Sequence, residues 1–179
     1  MKKYKVLFAD LDGTLIDTVS GNTFPKGIWD MRIRFDVLDA IKKLSPKFLF
    51  IVSNQGGIEY GYMTDSQFTS KCNFICKCIE QYCGNGFPVT FSYCRSNSKD
   101  DPRRKPNAGM LEEFYHDYIE GYDFDKNDAL MIGDASGREG QFSDSDKKTA
   151  ENFGIDYMDV EDFVEEMTWN DAPVELKEE

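Results

Sequence analysis

The chain has 179 residues, 40% of them hydrophobic, enough to bury one substantial α/β core and too few for two ordinary domains. Its 33 acidic residues outnumber 21 basic ones, and the net charge of −12 excludes a broad, non-specific attraction to nucleic acid. No apolar run approaches the ~20 residues that span a bilayer, and Met1-Lys2-Lys3-Tyr4-Lys5 leads into too few apolar residues for a signal peptide. The five cysteines (72, 76, 78, 83 and 94) are odd in number and match no CxxC pair, so they read as reduced thiols. Together these features predict an intracellular protein, cytoplasmic or, in a eukaryote, nuclear, with no membrane contact.

In chain order, Lys5-Val6-Leu7-Phe8-Ala9 reads as a buried strand that ends at Asp10. Residues 13–33, rich in Gly and Thr, read as a loop or small hairpin insertion. Phe35 to Leu44 has helical periodicity and stops before Pro46. Phe48-Leu49-Phe50-Ile51-Val52 is a second buried strand, running into Ser53-Asn54-Gln55-Gly56-Gly57. Thr64-Asp65-Ser66-Gln67 has the pattern of a capping box, and a helix follows over 65–82 with Phe68, Cys72, Ile75, Cys76 and Ile79 as its core stripe. A third strand is expected over Phe87 to Cys94, then a polar, basic loop over 95–105 and a helix over 107–120. Ala129 to Gly133 is a fourth strand ending at Asp134, followed by a helix near 145–153, a short strand near 155–157 and an acidic helix from Asp159. The expected domain covers residues 1–167, with 168–179 as an acidic, flexible tail in which Trp169 is the residue able to dock.

Alternating strands and helices imply a doubly wound, Rossmann-like parallel α/β sheet. In such a sheet the functional groups gather beyond the carboxyl ends of the strands. Those ends carry Asp10 and Asp12, Ser53 and Asn54, the basic loop leading to Lys105, and Asp134. A carboxylate can attack phosphorus and form an aspartyl phosphate. A second carboxylate two residues on can donate a proton to the leaving oxygen and later activate water. Both need positive charge nearby, which Lys105 and a Mg²⁺ ion held by oxygen ligands would supply. Other chemistries lack their parts. The single histidine, His116, lies mid-helix and far from any GxSxG turn, and the Gly56–Gly61 spacing is followed by Tyr62 and Met63 instead of a P-loop Lys-Ser/Thr.

The set Asp10-Leu11-Asp12-Gly13-Thr14, Ser53, Lys105 and Gly133-Asp134 resembles the four motifs of the haloacid-dehalogenase-like phosphatases. The resemblance implies Asp10 as nucleophile, Asp12 as general acid/base, and Ser53 and Lys105 as phosphoryl ligands. It also implies Mg²⁺ held by Asp10, Asp134 and the backbone carbonyl of Asp12. Over residues 4–165 a closer resemblance is to the 3′-phosphatase domain of polynucleotide kinase-phosphatases. It rests on Phe24-Pro25, Ser53-Asn54-Gln55-Gly56-Gly57-Ile58, Arg104-Lys105-Pro106, Gly133 to Arg138, and Phe142-Ser143-Asp144-Ser145-Asp146. By that match Asp146 is a supporting acid behind the metal or Lys105, and Thr14, Asn54, Gln55, Arg103, Arg104 and Arg138 contact the substrate. The implied activity is a Mg²⁺-dependent removal of 3′-phosphates from DNA ends in strand-break repair, by a monomer without a large cap domain. No kinase segment is recognisable, which leaves room for a separate kinase or ligase as partner.

Two rival readings share parts of this pattern. Histidinol-phosphate and heptose-bisphosphate phosphatases have a similar open scaffold, but many carry a Cys/His zinc loop before the lysine; residues 92–104 hold only Cys94 and no histidine. A receiver-type signalling module also uses a phospho-accepting Asp, Ser/Thr, Lys and Mg²⁺, but lacks an acid at the position of Asp12.

Overall fold

The computed structural model describes residues 2–22, 25–119, 122, 124–141 and 143–169. Strand β1 (Val6–Ala9) is followed by a small hairpin of β2 (Ile16–Thr18) and β3 (Met31–Ile33). Then come α1 (Phe35–Leu44), β4 (Phe48–Asn54), α2 (Asp65–Cys83), β5 (Val89–Cys94) and α3 (Gly109–Phe114). The order closes with β6 (Ala129–Gly133), α4 (Ser145–Phe153), β7 (Asp156–Asp159) and α5 (Val160–Trp169).

All residues of β1 and β6 are buried, which requires cover on both faces of the sheet. Five strands run parallel in the order β5-β4-β1-β6-β7, with Leu7 opposite both Leu49 and Leu130. Side chains alternate across this sheet. Leu7, Ala9, Leu49, Ile51, Leu130 and Ile132 face α1, α2 and α5 through residues such as Ile41, Phe68 and Phe163. Val6, Phe8, Phe50, Val52 and Met131 face α3 and α4 through Met110, Phe114, Ala150 and Phe153. The fold is thus the doubly wound, Rossmann-like α/β sheet expected. The chain winds outward from β1 to β4 and β5, then returns to β6 and β7 on the other side. The carboxyl ends of β1, β4 and β6 therefore meet at the switch in strand order.

Local signals place most element ends. Thr64 and Gln67 make the reciprocal bonds of a capping box at the start of α2. α1 stops at Ser45, in a left-handed conformation just before Pro46, and α4 stops at left-handed Gly154. Three expectations are corrected. Strand β4 runs on through Ser53 and Asn54, which pair with Tyr93 and Cys94 of β5. Strand β5 begins after Pro88, whose carbonyl accepts from the Leu49 N–H. The helix expected over 107–120 begins only at Gly109, because the Asn107 amide is spent on the carbonyls of Lys99 and Asp101, closing the basic loop. It then widens into a π-helical turn over Tyr115–Ile119.

The insertion over 13–33 forms the β2–β3 hairpin, organised around buried Asp30, which accepts from the backbone of Ser20 and Lys26 and from the Ser20 hydroxyl. At the other end, α5 reaches Trp169, so the expected tail boundary at 168 lies inside a helix. Phe24, Phe142 and residues 170–179 lie outside the described residues. Cys72 and Cys94 are buried, and all five thiols are free. No helix among the described residues is long and apolar enough to cross a membrane.

Candidate active site

Asp10 leaves β1 with its N–H bonded to the Ile132 carbonyl, 3.0 Å away, so the ends of β1 and β6 are tied together. The turn that follows needs Gly13, which holds φ at +90°; a Cβ there would meet Asp134 Oδ2 at 2.2 Å. Gly133 is required for a different reason, since a Cβ on it would meet Asp146 Oδ2 at 2.3 Å. The Asp-x-Asp-Gly and Gly-Asp motifs thus let two backbones come close enough for their acids to share one space. Asp10, Asp134 and Asp146 each offer an oxygen, all within 4.8 Å of one another.

Lys105 enters this space from the basic loop and is 4% exposed. Its Nζ contacts Asp10 Oδ1 and donates to Asp146 Oδ1 at 2.7 Å and to the Val52 carbonyl at 3.1 Å. Asp146, in the first turn of α4, takes the Ala135 N–H on its other oxygen at 3.1 Å. The Thr14 hydroxyl lies 3.5 Å from Asp10 Oδ2. Burial pushes the Asp10 carboxyl well above its usual range; Asp146 and Asp134 add to the shift and Lys105 opposes it. Burial also lifts Asp134, to about 6, with Asp146 as the next cause. For Lys105, burial favours the neutral amine, but Asp10 and Asp146 outweigh it and hold the ammonium charged.

Three acids around one lysine leave an excess of negative charge in a poorly hydrated space, and the raised proton affinities of Asp10 and Asp134 express that excess. The donors are all oxygen. This is the ligand chemistry that suits a hard divalent cation such as Mg²⁺, so the residues present fit one.

A second group lies beside the first. Ser53 is buried, and its Oγ accepts from Gln55 Nε2 at 2.8 Å; the same nitrogen reaches Asp12 Oδ2 at 2.7 Å. The other Asp12 oxygen accepts from Lys71 Nζ at 2.9 Å. Lys71 was not among the residues expected from sequence. The signal was present: a lysine three residues after Phe68 and four before Ile75 falls inside the apolar stripe of α2, where a charge needs a partner.

The residues expected to contact the substrate make these contacts within the protein. The Asn54 side chain bonds both the N–H and the carbonyl of Lys105, each at 2.9 Å. Gln55 holds Asp12 and Ser53. Arg103 bonds Ser92 Oγ at 2.7 Å and pairs with Glu113 at 3.0 Å, while Arg104 bonds the Ser96 carbonyl at 2.6 Å. Arg138 pairs with Asp162 and lies 3.6 Å from Asp159, which anchors the loop after Asp134 to α5. His116 is exposed, outside this site. An open cleft of about 840 Å³ reaches the site at Gly13 and Asp134 and runs out past Arg32 and Arg34 of the hairpin side.

A family model described as polynucleotide kinase 3 phosphatase matches residues 5–164. An uncharacterized 20.8 kDa protein of Autographa californica nuclear polyhedrosis virus is 30% identical over 92% of this chain and 87% of its own length. The bifunctional polynucleotide phosphatase/kinase of Schizosaccharomyces pombe is 33% identical over 91% of this chain, which spans only 38% of that relative's length. Among solved structures, the D,D-heptose 1,7-bisphosphate phosphatase of B. bronchiseptica, complexed with magnesium and phosphate, superposes with a TM-score of 0.60 at 19% identity. That likeness covers 93% of this chain and 99% of the other, and it shows a shared fold.

Proposed function

The chain belongs to the polynucleotide kinase 3 phosphatase family of haloacid-dehalogenase-like phosphatases, and from that premise we propose that it removes 3′-phosphates from DNA ends through an aspartyl phosphate on Asp10. The observation that carries the mechanism is the cluster of buried Asp10 and Asp146, both paired with Lys105, and half-buried Asp134 at the carboxyl edge of the sheet. The open cleft beside Asp134, with no large domain over it among the described residues, suits the end of a polymer.

Asp10 attacks phosphorus as the bond to the leaving oxygen breaks, and Asp12 gives its proton to that oxygen. Water then attacks the phosphoryl group, passes a proton to Asp12, and breaks the bond to Asp10, releasing phosphate and restoring both acids. Lys105, held charged, sits against Asp10 and offsets the negative charge of the incoming phosphate. Because Gln55 donates to the Ser53 oxygen, the Ser53 hydroxyl proton is left to point at a phosphoryl oxygen. Asp10, Asp134 and the Asp12 backbone carbonyl would hold Mg²⁺, which as a Lewis acid would weaken the repulsion between carboxylate and phosphate. Asp146 acts behind them by holding Lys105. On this reading Asn54, Gln55 and Arg138 orient the machinery, and the activity would serve strand-break repair by clearing blocked 3′ ends.

The test is phosphate release, with Mg²⁺, from matched oligonucleotides carrying a 3′- or a 5′-phosphate, beside histidinol phosphate and a heptose bisphosphate. Strong preference for the 3′-phosphate is expected, and Asp10→Asn should abolish turnover while leaving the circular dichroism spectrum unchanged. Preference for either small molecule would discard the DNA end and keep the mechanism. Wild-type turnover in Asp10→Asn would overturn the covalent step.

A further inference from the structure

Lys71 projects from the core-facing side of α2 and is 8% exposed. A buried ammonium is costly unless its charge is met closely, and here one carboxylate meets it: Asp12, at 2.9 Å, whose side chain is itself 6% exposed. Gln55, from the end of β4, takes the other Asp12 oxygen. The carboxyl group is therefore gripped on both oxygens by two elements outside its own loop. Two donors at fixed positions set the plane of a carboxyl group; one donor leaves it free to rotate about χ2. The grip does not extend to the neighbouring acid, since Asp10 is held by Lys105 and Thr14. The two lysines thus divide the work between them, one for each aspartate of the Asp10-Leu11-Asp12 motif.

We propose that Lys71 is the positioning residue for the general acid–base: with Gln55 it puts one donor on each Asp12 oxygen, so the second lone pair of an oxygen is left to carry the proton that passes to the leaving oxygen and is taken back from water. This rests on the role given to Asp12 above. Both half-reactions move one proton through Asp12, so misplacing it slows both, except where the leaving group needs no proton. p-Nitrophenolate is such a group and the sugar hydroxyl of a nucleotide is not. Substrate binding, which does not use Asp12, is spared.

The experiment is rapid-mixing kinetics of the full chain with Mg²⁺, comparing wild type, Lys71→Met and Lys71→Arg on p-nitrophenyl phosphate and on a DNA 3′-phosphate. For Lys71→Met we expect a burst of about one p-nitrophenol per protein, followed by a steady rate at least ~10-fold below wild type, as aspartyl phosphate accumulates. On the DNA 3′-phosphate the same variant should show no burst and at least a ~10-fold loss of kcat, with KM unchanged within about threefold. Lys71→Arg, which keeps the charge and the donor, should recover most of the rate. If Lys71→Met does not fold, Lys71→Gln is read by the same burst. A loss without a burst on p-nitrophenyl phosphate, a loss confined to KM, or wild-type rates in Lys71→Met would overturn the proposal while leaving the phosphatase reading intact. Absence of turnover in wild type on both substrates would overturn both.

Discussion

Asp134 and Asp10 show how a single side chain's environment decides its chemistry. Neither is unusual in sequence, yet burial and crowding by Asp146 raise the proton affinity of both, Asp134 to about 6. An unfolded aspartate titrates near 4, so between roughly pH 4 and pH 6 the metal-free Asp134 carboxyl group is more fully protonated in the folded chain than in the unfolded one. By linkage, the contribution of Asp134 to stability falls as pH rises through that window. A divalent cation reverses the effect, because it binds the ionised carboxylates and competes with their protons. The rise in melting temperature on adding Mg²⁺ should therefore be larger at pH 7.5 than at pH 5.0. Equal rises at both pH values would mean that these acids do not hold the ion.

At the scale of elements, the last two residues of β4 do more than end a strand. Their backbone pairs with β5, which fixes where their side chains emerge. From there the Asn54 amide holds both backbone groups of Lys105, replacing the partners that a loop residue would otherwise find in water. Asn54→Ala would leave that N–H and carbonyl unpaired, at a cost of about 2 kcal/mol in stability. It would also loosen the ammonium from Asp10 and Asp146. Chemical denaturation and steady-state kinetics should show both the stability loss and at least a ~10-fold fall in kcat; an Asn54→Ala protein with wild-type turnover would mean that Lys105 is held by its Nζ contacts alone. Asparagine after a strand reads from sequence as a turn or a substrate contact, because its partner lies 51 residues away and periodicity reports only neighbours. The periodicity of α1 and the core stripe of α2 were legible for the opposite reason, since their spacing repeats within each helix.

Over the whole molecule, the net charge of −12 disfavours an extended track along a nucleic-acid backbone. A strand end would be gripped at its terminal phosphate and one neighbour. With about two phosphate contacts on a single strand, KM for a 3′-phosphorylated oligonucleotide should rise no more than ~7-fold between 50 and 200 mM salt. A much steeper rise, measured by phosphate release across that range, would point to an extended basic track and so to a different path for the DNA.

The amino-acid sequence by itself determined the alternation of strands and helices and the acids, hydroxyl and lysine at the strand ends. Those follow from local rules: buried strands are continuous apolar runs, helices repeat every 3.6 residues, and parallel sheets collect function at one edge. Which of these groups touch was decided by the tertiary structure alone. Lys105 could have faced solvent, and Lys71 could have been another surface charge on α2. Burial removed their water and left carboxylates brought from other strands and helices as their partners: Asp10 and Asp146 for Lys105, Asp12 for Lys71. The same packing gave Arg103, Arg104 and Arg138 partners within the protein, because a charge takes the nearest geometry that satisfies it, and that geometry exists only once the chain has folded.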